Sequence, residues 1–125
     1  SYSNAPGVDW ALPSGTPVYA AAEGRVSWCE WGQYGGRYVI VDHGAGFLTL
    51  YSHLSWVSTV RGESVKGGHL LGLSGSTGRS VAPHLHFAVK EGGNWIDPEP
   101  FLQNGSAAPQ PTPQPVQVDE YSRDE

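Results

Sequence analysis

The stretch RYVIVDHGAGFLTLYSH, residues 37–53, contains two apolar runs joined by a glycine turn. The runs Arg37–His43 and Phe47–His53 are rich in residues that favour strands, and the three residues between them are few enough for an antiparallel hairpin. Seventeen Gly and ten Pro among 125 residues disfavour long helices. Further strand signals, separated by Gly-containing turns, occur at Thr16–Ala22, Gly24–Trp31, His69–Ser74 and His84–Lys90. We therefore predict a mainly β fold, an antiparallel sheet packed as a sandwich or half-barrel.

The second run also predicts how a polar side chain is presented. Side chains of a strand alternate between its two faces. The alternation places Leu48 and Leu50 on one face, which we expect to enter the core. The opposite face carries Phe47, Thr49, Tyr51 and His53. Such a strand would hold His53 toward a cleft while its apolar face anchors it.

The segment Pro83-His84-Leu85-His86-Phe87 carries two imidazoles two residues apart. On a strand both histidines point the same way, with their Cα atoms roughly 6.5–7 Å apart, so both can reach one ion or one water molecule. A bare His-x-His is a weak signal by itself, and its weight depends on the rest of the chain.

The histidine pair occurs together with several other motifs. In order, these are Gly7-Val8-Asp9, Gly15-Thr16-Pro17-Val18, the run from Gly35 to His43, Tyr51-Ser52-His53-Leu54 and the run from Gly72 to Gly78. Taken in this order, the segments resemble the M23 family of zinc metallopeptidases, the LytM and lysostaphin type that cut peptidoglycan peptides. The resemblance covers about residues 7 to 102, and it is specific because several spaced motifs agree. It implies a LytM-like β architecture and a bound Zn²⁺.

The resemblance also implies a role for each polar residue. Asp9 and His86 correspond to zinc ligands, and His53 and His84 to a second pair that contacts the water and the tetrahedral intermediate. Zinc hydrolases usually hold the ion with three protein ligands and keep the fourth position for water. The metal lowers the pKa of that water and polarises the scissile carbonyl.

The chain departs from the family pattern at its start. That pattern opens His-x-Gly-x-Asp, and Ala5 stands where the first His belongs. Alanine has no donor atom, and Asn4 is one residue out of register with an amide oxygen that suits harder cations better than zinc. We therefore expect reduced zinc affinity and a possible impairment of hydrolysis.

Other interpretations of these residues stay open. Asp9 could cap a turn, and His53 alone could be an ordinary strand residue. We interpret His43 as a structural residue hydrogen-bonded at a strand end and His69 as an exposed residue, and we place neither in the site. A catalytically inactive LytM-like domain, which binds peptidoglycan or activates a partner hydrolase, is the main alternative function. The run from Gly62 to Gly68 is similar to the hairpin of biotinyl and lipoyl carrier domains, but that interpretation leaves the histidine pair unexplained.

Composition divides the chain into two parts. We predict a peptidase-like domain over residues 1–102 and a Pro/Gln-rich linker with an acidic tail over residues 103–125. The net charge is −5, and the tail carries −3 of it, from Asp119, Glu120, Asp124 and Glu125 against Arg123. The acidic end could dock on a protein partner or simply be solvated.

Charge and hydropathy also exclude some partners. No basic patch is present to hold phosphates, which argues against nucleic acid. No apolar stretch approaches the roughly 20 residues that cross a bilayer, so we expect no membrane span in this chain. The chain contains no Met, and we expect no signal peptide within it. We expect a processed chain or an excised domain that works outside the cell or in the cell envelope.

Overall fold

The structure, a computed structural model, describes residues 7–78, 80 and 82–96. Nine strands form over these residues, and every pair of neighbouring strands is antiparallel. The strands are β1 (Val8–Trp10), β2 (Pro17–Tyr19), β3 (Gly24–Gly32), β4 (Gly36–Asp42), β5 (Phe47–Val57), β6 (Ser64–Val65), β7 (Leu70–Ser74), β8 (Leu85–Glu91) and β9 (Asn94–Ile96). The predicted antiparallel β fold is confirmed.

Strand β5 is the centre of the sheet. The main strand order is β1-β8-β5-β4-β3-β6. The first part of β5 pairs with β4 on one side and with β8 on the other, and its last residues pair with β7. Strand β7 in turn pairs with β2, and β9 extends the sheet beside β8. Three strands, β4, β7 and β8, therefore meet along β5, which makes it the natural place for a composite site.

The hydrophobic core is built around stacked aromatic rings. The Phe87 ring lies 5.7 Å from that of Trp10 and 5.4 Å from that of Tyr51, centroid to centroid. Val18, Val26, Val39, Val41, Leu54, Leu71, Leu85 and Val89 are completely buried around them. The core therefore draws on β1, β2, β3, β4, β5, β7 and β8, and it holds the central strands in a fixed relation.

One prediction about β5 is wrong. Leu50 is buried, but neither Leu50 nor the half-buried Leu48 belongs to the main core cluster, which instead contains Tyr51, the residue that we assigned to the cleft face. Its phenol oxygen is 2.8 Å from Thr49 Oγ1 and accepts a 2.8 Å hydrogen bond from the Ala21 N–H. Both faces of this strand are covered, so a simple buried-and-exposed alternation does not apply.

The six predicted strands correspond to β2, β3, β4, β5, β7 and β8, with ends that differ by up to four residues. Ala5, the domain boundary at residue 102 and the tail lie outside the described residues. Within the part of the chain that the structure describes, no helix is long and apolar enough to cross a membrane.

Candidate functional site

A bulge in β5 presents His53. Val39 pairs with Tyr51 and Arg37 pairs with Leu54, so two residues of β5 oppose one residue of β4 between these pairs. His53 lies in the bulge with φ of +68°, a left-handed conformation that is uncommon for a residue other than glycine. Its N–H donates to the carbonyl of Gly35 over 2.7 Å. Bulges of this kind re-aim a side chain, and here the side chain is the imidazole.

The surroundings of His53 fix its protonation state. Its ring is completely buried, and Nδ1 lies 2.6 Å from the Thr77 main-chain carbonyl. A carbonyl only accepts, so Nδ1 carries the proton and Nε2 keeps its lone pair. Burial lowers the pKa of His53 to about 3, against the opposing effect of the Thr77 carbonyl. The ring is therefore neutral at physiological pH, with Nε2 as its basic atom.

His84 has the same tautomer as His53. Its Nδ1 donates to the Ala82 carbonyl over 2.8 Å and lies 3.2 Å from Ser80 Oγ. Its Nε2 is 3.8 Å from Asp9 Oδ1, and its ring centroid is 4.8 Å from that of His53. Burial lowers the pKa of His84 as well. The two imidazoles thus form a neutral pair in which both Nδ1 atoms are held by main-chain carbonyls.

His86 is oriented differently from the other two rings. Asp9 on β1 pairs directly with His86 on β8, and Asp9 Oδ1 lies 2.8 Å from His86 Nδ1. The ring lies close over the backbone of Gly7, where an added Cβ would be 2.6 Å from His86 Cε1. Gly7 is therefore needed for the approach of β1 to the ring. This ring presents Nδ1, rather than Nε2, to the carboxylate.

The four predicted site residues come together in one buried cluster. The centroids of His53 and His86 are 6.5 Å apart, and Asp9 contacts both His84 and His86. One carboxylate and three imidazoles are donor types that zinc prefers. Two ligands of one tetrahedral zinc lie about 3.3 Å apart, given bonds of about 2.0–2.1 Å. The Asp9–His86 pair, at 2.8 Å, would need to open by only about half an ångström to hold the ion.

The described residues do not provide a full set of three ligands. Over residues 7–78, 80 and 82–96, no group of three His, Cys, Asp or Glu side chains has the geometry to hold a metal ion. The position that would supply the third ligand is Ala5, which lies outside these ranges. The donors thus fit zinc in type, and Asp9 and His86 also fit in position.

The two other described histidines lie elsewhere, as the sequence predicts. His43 contacts the Glu23 carbonyl through Nδ1 at 2.7 Å and Thr49 Oγ1 through Nε2 at 2.8 Å. It lines an open pocket of about 600 Å³ that contains none of the site residues. His69 lies 3.5 Å from the Glu63 carboxylate at a half-exposed position.

Sequence reasoning missed the partners of the histidines. The carbonyl of Thr77, within the glycine-rich run from Gly75 to Gly78, orients His53. The carbonyl of Ala82 does the same for His84. These are main-chain groups, so the residue type gives no sign of their role. An isolated bridge between Gly75 and His84 also joins this loop to the start of the histidine strand.

Comparison with known proteins agrees with this geometry. The sequence profile of Peptidase family M23 matches residues 3–98. Over 83 residues the chain is 44% identical to the peptidoglycan DD-endopeptidase ShyA of Vibrio cholerae, which covers 66% of this chain and 19% of ShyA. The chain thus spans about a fifth of the length of that relative.

Solved structures show the same similarity. The catalytic domain of the antimicrobial peptidase lysostaphin from Staphylococcus simulans matches with a TM-score of 0.74 and 35% identity, covering 82% of this chain and 90% of that domain. A zinc-containing peptidase from Vibrio cholerae matches with a TM-score of 0.71 and 34% identity, covering 84% of this chain and 30% of that protein. The antiparallel sheet described above is the fold of these proteins.

Proposed function

This chain belongs to peptidase family M23, and we propose that it is a zinc-dependent endopeptidase that hydrolyses peptide stems or cross-bridges of bacterial peptidoglycan. The observation that carries the proposal is the buried cluster of Asp9, His53, His84 and His86, in which the three rings have two distinct orientations. The similarity to ShyA, which is named a peptidoglycan DD-endopeptidase, supports the choice of substrate. Because peptidoglycan lies outside the cytoplasmic membrane, we place the chain in the cell envelope or the extracellular space.

The orientation of the rings supports separate roles for the site residues, with metal binding assigned to His86 and Asp9. His86 Nδ1 and Asp9 Oδ1 face each other, and these two atoms would hold the zinc ion. A bound zinc would supply Lewis-acid polarisation of the scissile carbonyl and a lower pKa for water in the cleft. Asp9 also brings a negative charge to the otherwise neutral cluster, which favours a cation there.

His53 would transfer the proton, and His84 would orient the attacking water. With Nδ1 protonated on a carbonyl, His53 Nε2 can take a proton from the attacking water as the new C–O bond forms. When the C–N bond of the tetrahedral intermediate breaks, that proton passes to the leaving amine. His84, whose Nε2 lone pair faces the same space, can accept a hydrogen bond from the water and orient it for attack. The carbonyls of Thr77 and Ala82 keep both rings in the tautomer that this requires.

Ala5 favours a second candidate function. A domain that has lost one of three ligands could bind peptidoglycan, or activate a partner hydrolase, without cleaving it. In that case the histidine cluster would be the remainder of a hydrolase site. The two functions predict different behaviour toward metal and toward substrate.

Zinc content and digestion together test the proposal. The purified chain is dialysed against metal-free buffer, its zinc is measured by elemental analysis, and it is incubated with purified peptidoglycan at a fixed zinc concentration. Close to one zinc per chain and release of soluble peptides that His53→Ala abolishes would support the endopeptidase. No zinc and no release, with the chain still sedimenting with peptidoglycan, would establish the binding domain instead.

A further inference from the structure

We propose that Thr77 is a positioning residue, whose hydroxyl locks the loop that holds His53 and thereby maintains the Nδ1-protonated tautomer of that ring. The proposal deepens the proposed function and rests on it for the catalytic consequence, but not for the structural one. Thr77 does not itself touch the reacting atoms. It acts through His53. Its main-chain oxygen contacts the ring, and its hydroxyl oxygen holds the loop.

The main-chain oxygen of Thr77 acts on the ring. It accepts the Nδ1–H of His53 over 2.6 Å, a short distance for a neutral N–H···O bond. The other support of His53 comes from its own N–H, which donates to Gly35. If the Thr77 carbonyl moved away, the ring would lose the acceptor that fixes its tautomer, and Nε2 could take the proton instead.

The hydroxyl of Thr77 joins two strands at the bulge. Thr77 Oγ1 accepts from the Arg37 N–H over 3.1 Å and donates to the Leu54 carbonyl over 2.7 Å. Arg37 and Leu54 face each other across β4 and β5, next to the extra residue of the bulge. The hydroxyl thus bridges a donor and an acceptor of opposing strands at the point where the ladder is irregular. A side chain without an oxygen here leaves both main-chain groups without this partner.

Close backbone packing leaves the loop little freedom to shift. A Cβ on Gly36 would collide with Thr77 and lie 2.6 Å from the Gly78 nitrogen. A Cβ on Gly78 would collide with the Gly36 nitrogen and lie 2.6 Å from the Tyr34 carbonyl. The hairpin between β3 and β4 and the loop after β7 therefore touch through their main chains at Thr77 and Gly78. A hydroxyl at residue 77 is the side-chain link that sets their register.

The experiment compares Thr77→Val, which keeps the shape and removes the hydroxyl, with Thr77→Ser, which keeps the hydroxyl. Thr16→Val is the matched control, because it removes a threonine hydroxyl that donates to the Pro13 carbonyl instead. Long-range ¹H–¹⁵N NMR reports which nitrogen of His53 carries the proton, with the signals assigned through His53→Asn. Thermal unfolding of each variant reports any general loss of stability.

In the unaltered chain and in Thr16→Val, His53 should be protonated at Nδ1 only. Thr77→Val should shift the His53 ring signals toward a mixture of tautomers, and Thr77→Ser should restore the original signals. A ring protonated at Nε2 in the unaltered chain would overturn the proposal without any variant, even if Thr77→Val failed to fold. Unchanged ring signals in a folded Thr77→Val would overturn it equally.

Kinetics separate this proposal from the proposed function. Hydrolysis of a peptidoglycan-derived peptide is measured in an Ala5→His background, where the ligand set is complete. Thr77→Val should lower kcat by roughly tenfold to a hundredfold with KM changed little, and Thr77→Ser should recover most of the loss. If no variant hydrolyses the peptide, the proposed function fails while the NMR result still decides the role of Thr77. If kcat is unaffected although the tautomer changes, the catalytic consequence is wrong.

Discussion

Position 5 is the residue whose change should have the largest effect on metal binding. Ala5→His supplies the histidine that the M23 pattern carries at this position. Since even a residue that merely orients a ligand is worth 10–100-fold in metal affinity, we expect zinc affinity to rise by at least about a hundredfold. Competition with a zinc chelator measures the affinity, and peptide hydrolysis should increase in parallel.

The matched control for that substitution is Ala107→His, which adds an imidazole in the Pro-rich segment far along the sequence. It should leave zinc affinity unchanged. Equal affinities of the original chain and of Ala5→His would mean that the assignment of Asp9 and His86 as ligands is wrong.

Tyr51 makes the stability of the fold sensitive to alkali. Burial raises the pKa of its phenol to about 12, although hydrogen bonds from Thr49 and Ala21 oppose the rise. An unfolded chain ionises this group from about pH 10, so above pH 10 the folded state binds more protons than the unfolded state and stability falls with pH. Two pKa units correspond to about 3 kcal/mol, which is present below pH 10 and is lost between pH 10 and 12.

Urea unfolding at several pH values between 9 and 12 measures this loss, with Tyr51→Phe as the comparison. The variant lacks the titrating group, so its free energy of unfolding should fall less steeply over the same interval. Parallel slopes for the two proteins would show that Tyr51 is not the group responsible.

The site residues differ in how far the sequence reveals them. His84 and His86 are predictable because residues two apart on a strand point to the same side. Asp9 is predictable because its motif precedes the histidine motifs in the order of the family pattern. The orientations of the His53 and His84 rings cannot be predicted from the sequence, because they depend on the main-chain carbonyls of Thr77 and Ala82. Every residue has a carbonyl, so only the folded chain shows which ones matter.

Among the strands, β5 shows where a period of two fails. Alternation placed Tyr51 and His53 on one cleft face, but Tyr51 is core and the next two residues form a bulge. A bulge is a property of a strand pair, since its extra residue is defined only against the partner β4. We did not predict strands β1, β6 and β9. Each has two or three residues, which is too few to show an alternation of apolar and polar side chains.

The contact between the β3–β4 hairpin and the loop after β7 gives a prediction about this element. Gly36→Ala and Gly62→Ala both place a side chain at positive φ, which costs about 1–2 kcal/mol. At Gly62 nothing lies within 4 Å of the new Cβ, whereas at Gly36 it collides with Thr77. Gly36→Ala should therefore destabilise the protein by about 1–3 kcal/mol more than Gly62→Ala.

Chemical denaturation of the two variants measures the difference, and the His53 ring signals report its effect on the site. They should move in Gly36→Ala and not in Gly62→Ala. Equal losses of stability would mean that the hairpin and the loop can separate without cost.

At the scale of the whole molecule, the charge is distributed unevenly. The segment after residue 102 carries −3 of the net −5, and alternating prolines precede its acidic end. A segment of this composition is too polar to bury much apolar surface. The sheet, in contrast, has a complete aromatic and aliphatic core within residues 10–89. The two parts should therefore be energetically independent.

Removing everything after Leu102 tests this independence. We expect the melting temperature to change by less than about 4 °C, because a domain of this size shifts by roughly 4–8 °C for each kcal/mol. Gly36→Ala in the same calorimetric series shows that the assay detects a loss of a few kcal/mol. A large fall in the melting temperature on truncation would mean that the acidic segment packs against the sheet. The zinc affinity of the truncated chain would then show whether the segment also contributes to the site. An unchanged melting temperature together with weaker binding to a partner protein would instead assign the segment to docking.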